Sequence, residues 1–279
     1  MKAKHLVILF FIMTALVTTK CLMTFVYVSE ENKYVKNPHE LIEEPNNIDP
    51  NLLEIINGIK AINEKNAKIN SVFSQNLEIV AQQKVGVRLN GEFSYEKDKN
   101  FRFKMRRGIF NALELDLGSN SEIFWFWSKR MKNPGLYWSK HEDTHKTRLK
   151  TPFHPLWIME SMGVNHIVTD GAEISKFNNL WKVTRKRRST LGHNVMHTTL
   201  IDPEKMTVVG NYVSSLGGDL ISSSEIKEWN KGVPSLIVMR WNEENAMIRL
   251  RFIDIKINHS IPDHHWEKPN RSPEINMAK

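Results

Sequence analysis

Asp116-Leu117-Gly118-Ser119-Asn120-Ser121-Glu122-Ile123-Phe124-Trp125-Phe126-Trp127 is the stretch that decides the fold. It reads as strand, tight polar turn, strand. The second strand carries four large aromatics in a row, Phe124 to Trp127. Alternation along a strand puts two of them on each face of a sheet. One pair can fill a core. The other then meets a second apolar layer, a ligand cavity or a lid.

The neighbouring segments share the same period of two. Leu89, Phe93 and Tyr95 alternate with Asn90, Glu92, Ser94 and Glu96. Phe101, Phe103 and Met105 alternate with Arg102, Lys104 and Arg106, and Leu113, Leu115 and Leu117 with Glu114 and Asp116. Each strand then has one apolar and one charged face, the pattern of an antiparallel sheet wet on one side. Turns are expected around 98–100, at Gly108 and over 118–121. Further strands are expected from Trp181 to Thr184, in a hairpin of 193–201 and 205–214, and over 222–229, 234–241 and 246–258. In the last, Ile248, Leu250 and Phe252 share one face, while Ile253, Ile255 and Ile257 take the other. That change of parity predicts a β-bulge near Phe252.

Two helices complete the reading. Asp49-Pro50 supplies an N-cap and a proline at the first helical position. Leu52, Ile55, Ile56, Ile59 and Ile62 follow at helical spacing, so a helix is expected from about Pro50 to Asn66. Pro155 opens a second, short helix through Met162, closed by Gly163. With Leu156, Trp157, Ile158, Met159 and Met162 it is too apolar for a free surface helix. A large sheet with one apolar face must curl, and these two helices are available to fill its concavity. The fold class is therefore mainly β with α: an incomplete, strongly curved antiparallel β-barrel, or half-barrel, closed by the N-terminal helix and the short internal one.

The chain has 279 residues, a hydrophobic content of 41%, a charged content of 25% and a net charge of +8. These values suit one globular domain with extensions. Lys2, Lys4 and His5 precede an apolar run from Leu6 to Val17, the shape of a signal peptide. Cys21 is the only cysteine, which excludes an intramolecular disulfide. Its position after the apolar run fits a lipidated cysteine, although Lys20 stands where a small residue is expected. The competing form is an uncleaved anchor from Leu6 to Val28. The expected organisation is a signal peptide or membrane anchor over 1–28, a polar linker over 29–48, the half-barrel over 49–268 and a flexible tail over 269–279.

Catalytic signatures are missing from the sequence: there is no G-x-S-x-G elbow, Walker loop, dinucleotide fingerprint or H-E-x-x-H. No enzyme activity, cofactor or metal is expected. Asp263-His264-His265 could suggest a metal, but adjacent histidines in a strand point to opposite faces. Glu142, Asp143 and His145 read as a solvated loop. The basic run of Lys182, Arg185, Lys186, Arg187 and Arg188 reads as a solvated hairpin end, with contact to lipid headgroups as the alternative. Nucleic acid is not an expected partner, because the run lacks interleaved aromatics and the chain reads as exported.

Taken in order, the motifs resemble the LolA/LolB-like family of outer-membrane lipoprotein carriers and receptors. Ser71-Val72-Phe73-Ser74-Gln75 is similar to the start of the family's first strand. Gly91-Glu92-Phe93-Ser94-Tyr95 with Asn100-Phe101-Arg102-Phe103 is similar to its first hairpin, and Ser119–Trp127 to its aromatic hairpin. Pro155–Glu160 resembles its short internal helix. Ile257-Asn258, Ile261-Pro262-Asp263 and Trp266 resemble its closing signature.

The resemblance implies a half-barrel with an apolar cavity for lipoprotein acyl chains. Its lining candidates are Phe93, Phe101, Phe103 and Leu115, then Phe124, Trp125, Phe126 and Trp127, and finally Trp157, Ile158 and Met162 of the internal helix. The twelve methionines add adaptable apolar surface. Lys97 stands where the family's carriers use an arginine to hold the lid, and Asp98 replaces the family's proline. The protruding apolar loop of the receptors has a candidate in Leu136–Trp138. The implied function is non-enzymatic binding of lipoprotein or lipid acyl chains in the periplasm. The implied partners are acyl chains, the membrane surface and a lipoprotein-sorting protein. An alternative function is a lipid-sensing regulatory domain acting through a partner protein.

Overall fold

The computed structural model describes residues 52–82, 87–97, 100–107, 111–129, 131, 133–147, 155–189, 192–243 and 245–279. The apolar leader, Cys21 and the linker lie outside the described residues. In chain order the elements are α1 (Leu52–Ala67), β1 (Ser71–Gln82), β2 (Val87–Glu96), β3 (Asn100–Arg107), β4 (Ala112–Ser119), β5 (Ile123–Ser128), β6 (Leu136–Lys140) and α2 (Pro155–Ser161). They continue with β7 (Glu173–Phe177), β8 (Leu180–Arg188), β9 (Asn194–Asp202), β10 (Thr207–Ser214), β11 (Leu220–Asn230), β12 (Val233–Trp241), β13 (Ala246–Phe252), β14 (Ile255–Ile257) and β15 (Glu274–Asn276). Strands dominate and helices are few. Among the described residues no helix is long and apolar enough to cross a membrane.

The strands fall into two compact units. The first comprises Asn70–Met159 and Ile248–Lys279, the second 52–69 and Glu160–Met247.

In the first unit the strand order is β15-β6-β5-β4-β3-β2-β1, with β13 and β14 also on β1. The pairs among β1–β6 are antiparallel, while the three-residue β15 joins β6 in parallel. The end strands do not meet, so the sheet is open. Register shifts at Ser74/Leu77 in β1 and Met105/Arg106 in β3 mark bulges, which bend and twist a sheet. The parity change predicted near Phe252 is present as a break between β13 and β14. There the Ile253 amide donates to the Asn76 carbonyl of β1 (3.0 Å).

In the second unit β12-β11-β10-β9-β8-β7 follow one another as an antiparallel meander. Helix α1 packs on this unit. Ile55, Ile59 and Ile62 are buried at the spacing the sequence predicts. Gly58 is the reason the helix can lie close: a Cβ there would sit 2.2 Å from the Trp181 ring of β8. Asn63 clamps the segment after α2. Its Nδ2 donates to the Ile167 carbonyl (2.9 Å), and its Oδ1 accepts from the Ile167 amide (2.8 Å).

Four expectations need correction. Leu136–Trp138 is no protruding loop but the start of β6, and Leu136 is fully buried between β5 and β15. The 269–279 segment, expected to be a flexible tail, contains β15. The basic run does end at the β8–β9 hairpin, where Arg188 pairs with Asn194 beside the turn, but it is only partly solvated: Lys186 and Arg188 are exposed, Arg185 and Arg187 half-buried and Lys182 buried. The strand face expected to be wet is covered, with Arg102, Glu114 and Asp116 all buried. Strand β7 carries no sequence signal, because Glu-Ile-Ser-Lys-Phe offers too short an alternation.

Candidate functional site

Register assigns the candidate side chains of β2–β5 to a face, because directly paired residues share one. Phe93 pairs with Phe103, Phe103 with Leu117, and Leu117 with Phe126. Tyr95 pairs with Phe101, Phe101 with Ser119, and Ser119 with Phe124. Met105 pairs with Leu115. Phe93, Phe101, Phe103, Leu115, Phe124 and Phe126 therefore share one mainly apolar face of β2–β5, on which Ser119 stands between Phe101 and Phe124 and Ser128 opposite Leu115. Ring centroids of Phe93 and Phe103 are 4.8 Å apart, those of Phe101 and Phe103 5.7 Å, and Phe252 meets Phe93 edge-on at 5.1 Å. Such aromatic pairs add ~0.5–1.5 kcal/mol each beyond the area they bury.

Trp125 and Trp127 stand on the other face, which the sequence does not distinguish. Trp125 pairs with Gly118 and Trp127 with Asp116. A Cβ on Gly118 would lie 2.3 Å from the Trp125 indole, so only glycine leaves room for that ring. This face is polar beneath its indoles. Arg102 forks onto Asp116, Nε to Oδ1 at 3.0 Å and Nη2 to Oδ2 at 2.8 Å. Trp125 Nε1 donates to the same Oδ1 (3.2 Å). Arg102 Nη1 donates to the carbonyls of His265 (2.6 Å) and Glu267 (3.4 Å). Asn120 Nδ2 donates to the Trp266 carbonyl (3.2 Å).

The cover is thus the C-terminal segment. Asp263–Trp266 forms a 3-10 turn. Arg271 stacks 3.9 Å from the Trp127 ring, Lys268 lies 5.4 Å from Trp138, and Lys268 ion-pairs with Glu274. Beyond it, the Leu136 amide donates to the Pro273 carbonyl (2.8 Å) and the Met277 amide to the Trp138 carbonyl (2.9 Å). Burial and the nearby cations Lys104 and Arg102 push the His265 imidazole down to about 4. His264 and His265 lie on that turn, not on a strand. Among the described residues no cluster of histidines and carboxylates could hold a metal.

The phenylalanine face is covered too. Phe93, Phe101 and Phe124 are at most 1% exposed, and Phe103 and Phe126 at most 5%. Leu115 and Trp127 are half-buried. Trp157 and Ile158 of α2 are buried in the first unit, whereas Met162, also buried, belongs to the second. The sequence grouped all eleven as one lining. The structure groups six on one face of β2–β5 and sets two on the opposite face; Trp157 and Ile158 belong to the first unit and Met162 to the second. Lys97 donates its amide to the Asn70 carbonyl (3.0 Å), and its Nζ lies 3.5 Å from Asn70 Oδ1.

No family model matches the chain, and no curated protein matches its sequence. Solved structures do match. A LolA superfamily protein from Nitrosomonas europaea is 13% identical, with a TM-score of 0.50 over 75% of this chain and 97% of its own. A DUF1329 family protein from Desulfovibrio piger is 8% identical, with a TM-score of 0.51 over 76% of this chain and 97% of its own. The chain has a LolA/LolB-like fold. A putative outer membrane lipoprotein-sorting domain from Vibrio parahaemolyticus has 9% identity and a TM-score of 0.49, over 77% and 95% of the two chains. At these identities the likeness concerns the fold.

The second unit holds a feature the sequence did not signal. A cavity of about 240 Å³ opens among β8, β9, β10 and the segment 160–168. Strand parity builds it. Val183, Arg185 and Arg187 alternate onto one face of β8; Arg185 pairs with His197 and Val183 with Thr199. Thr199 pairs with Asn211 and Ile201 with Val208, and the register shift at Val208/Gly210 brings both partners to this face. Glu160 lies across it, its carboxylate forked by Arg187 at 2.5 and 2.7 Å and its carbonyl bonded by Asn211 Nδ2 at 3.3 Å. Burial, followed by the cation of Arg187, pushes the His197 imidazole down to about 4, so it is neutral at pH 7.

Proposed function

We propose that this protein is a non-enzymatic lipid- or lipoprotein-binding protein of the cell envelope. Acyl chains bind against the phenylalanine face of β2–β5. One observation carries the reading: six apolar candidates from four strands share one face in a LolA/LolB-like sheet. The leader over 1–28 supports export, with attachment through the apolar run or through lipid on Cys21.

The physics is desolvation. Each methylene removed from water contributes ~0.8 kcal/mol. Because the face is already covered, an acyl chain must displace what covers it. Net affinity is then the difference between the two covers, which makes uptake reversible and hand-over to a second binder possible with a modest affinity gap. The proposal is tested by fluorescence titration with a diacylated peptide and the same peptide without its acyl groups. The acylated form is expected to bind and the bare peptide to fail. Equal binding of both, or of neither, would remove the acyl reading.

A further inference from the structure

The cavity of the second unit is unlike the phenylalanine face. It is small, at about 240 Å³, below the ~300–1,000 Å³ of pockets that enclose drug-sized ligands. A long acyl chain does not suit it. Its wall is divided: Ile167, Val168, Val183 and Val208 are apolar, while Arg185, His197 and Thr199 lie together on the strand floor. His166 and Val168 are exposed and mark the mouth.

Charge accounting singles out one residue. Arg187 is matched by Glu160 through a two-pronged pair. His197 is neutral at pH 7. Among the described residues no carboxylate pairs with Arg185, which is half-buried and lines the cavity. A half-buried guanidinium facing a walled space, with its neighbour's charge already neutralised, leaves the cavity net positive. Guanidinium forks match the oxygens of phosphate, and in a site partly shielded from water such a contact is stronger than on open surface.

We infer that this cavity binds a small phosphate group, free or carried on a lipid headgroup, with Arg185 as its counter-charge. The inference does not rest on acyl binding by the first unit, because all lining residues belong to the second. The four aliphatic side chains accommodate the short apolar link that follows the phosphate in an ester.

The test uses the full chain. Inorganic phosphate and glycerol 1-phosphate are titrated by calorimetry, and vesicles of phosphatidylglycerol are compared with vesicles of phosphatidylcholine by flotation. Arg185→Gln is the probe variant. Lys186→Gln is the control, because it removes the same charge from the next residue of β8, on the opposite, exposed face. Arg185→Gln is expected to weaken phosphate binding at least tenfold and Lys186→Gln less than twofold, both with unchanged thermal unfolding. Binding of the soluble phosphates identifies a free ligand. Arg185-dependent flotation with phosphatidylglycerol alone identifies a lipid headgroup. No binding of any probe, or equal weakening by both variants, would overturn the inference.

Discussion

Arg102 in the first unit and Arg185 in the second occupy similar places in the pattern. Each is a cation at an alternate position of a strand that also carries bulky apolar side chains, Phe101 and Phe103 in β3 and Trp181 and Val183 in β8. Their surroundings differ. Arg102 meets both oxygens of the Asp116 carboxylate and two carbonyls of the C-terminal segment, which takes up four of its five N–H groups. Arg185 meets a cavity. The difference teaches that a strand arginine becomes structure where a distant segment supplies acceptors, and that the same residue type can instead line a cavity.

The largest effect is expected from breaking the filled side. Asp116→Ala strands the buried Arg102 guanidinium and the Trp125 N–H. A buried pair broken at one partner costs ~3–5 kcal/mol, to be read as a fall in the urea midpoint. The double variant Arg102→Met/Asp116→Leu should recover much of that loss, because an apolar pair of similar volume carries no stranded charge. If Asp116→Ala unfolds like the parent, the strap over this face contributes no stability.

Acid probes the open side. The folded pKa of His197 lies at about 4, below the ~6.5 of an unfolded histidine. The unfolded chain therefore binds the extra proton between those values. The contribution is present above pH ~6.5 and lost as pH falls toward 4, on the order of 3 kcal/mol across the window. His265 shifts in the same direction and adds to the slope. His197→Gln should flatten the dependence of unfolding free energy on pH in this range. An unchanged slope would mean that His197 is not the group responsible.

Gly118→Ala sharpens the contrast between the faces of one hairpin. The new methyl must push the Trp125 indole off Asp116, an overpacking cost of ~1–3 kcal/mol. Thermal unfolding monitored by tryptophan fluorescence checks it. A neutral outcome would mean that the indole has another place to go.

Much of the fold was legible because alternation fixes faces. Phe93, Phe101 and Phe103 were assignable from period two alone, as were Ile55, Ile59 and Ile62 from helical spacing. The polarity of the opposite face misled, since Arg102 and Asp116 read as solvated until a segment 163 residues away in sequence from Arg102 supplies its carbonyls. Sequence alone also could not choose between Phe124/Phe126 and Trp125/Trp127. The turn over Asn120–Glu122 sets that register, through Asn120 Oδ1 accepting from the Glu122 and Ile123 amides. The cavity beside Arg185 depends on a bulge in β10 and a loop laid across three strands, neither of which leaves a local signature. In the sequence Arg185 is one charge within a basic run, and only pairing separates it from Arg187.

The central claim is that the phenylalanine face holds acyl chains. Native mass spectrometry of the full chain, purified from a membrane-containing extract, tests it most directly. The account predicts a bound population whose excess mass dissociates as lipid or lipopeptide. A protein that emerges at its own mass alone, and stays so after incubation with a lipidated peptide, would contradict it.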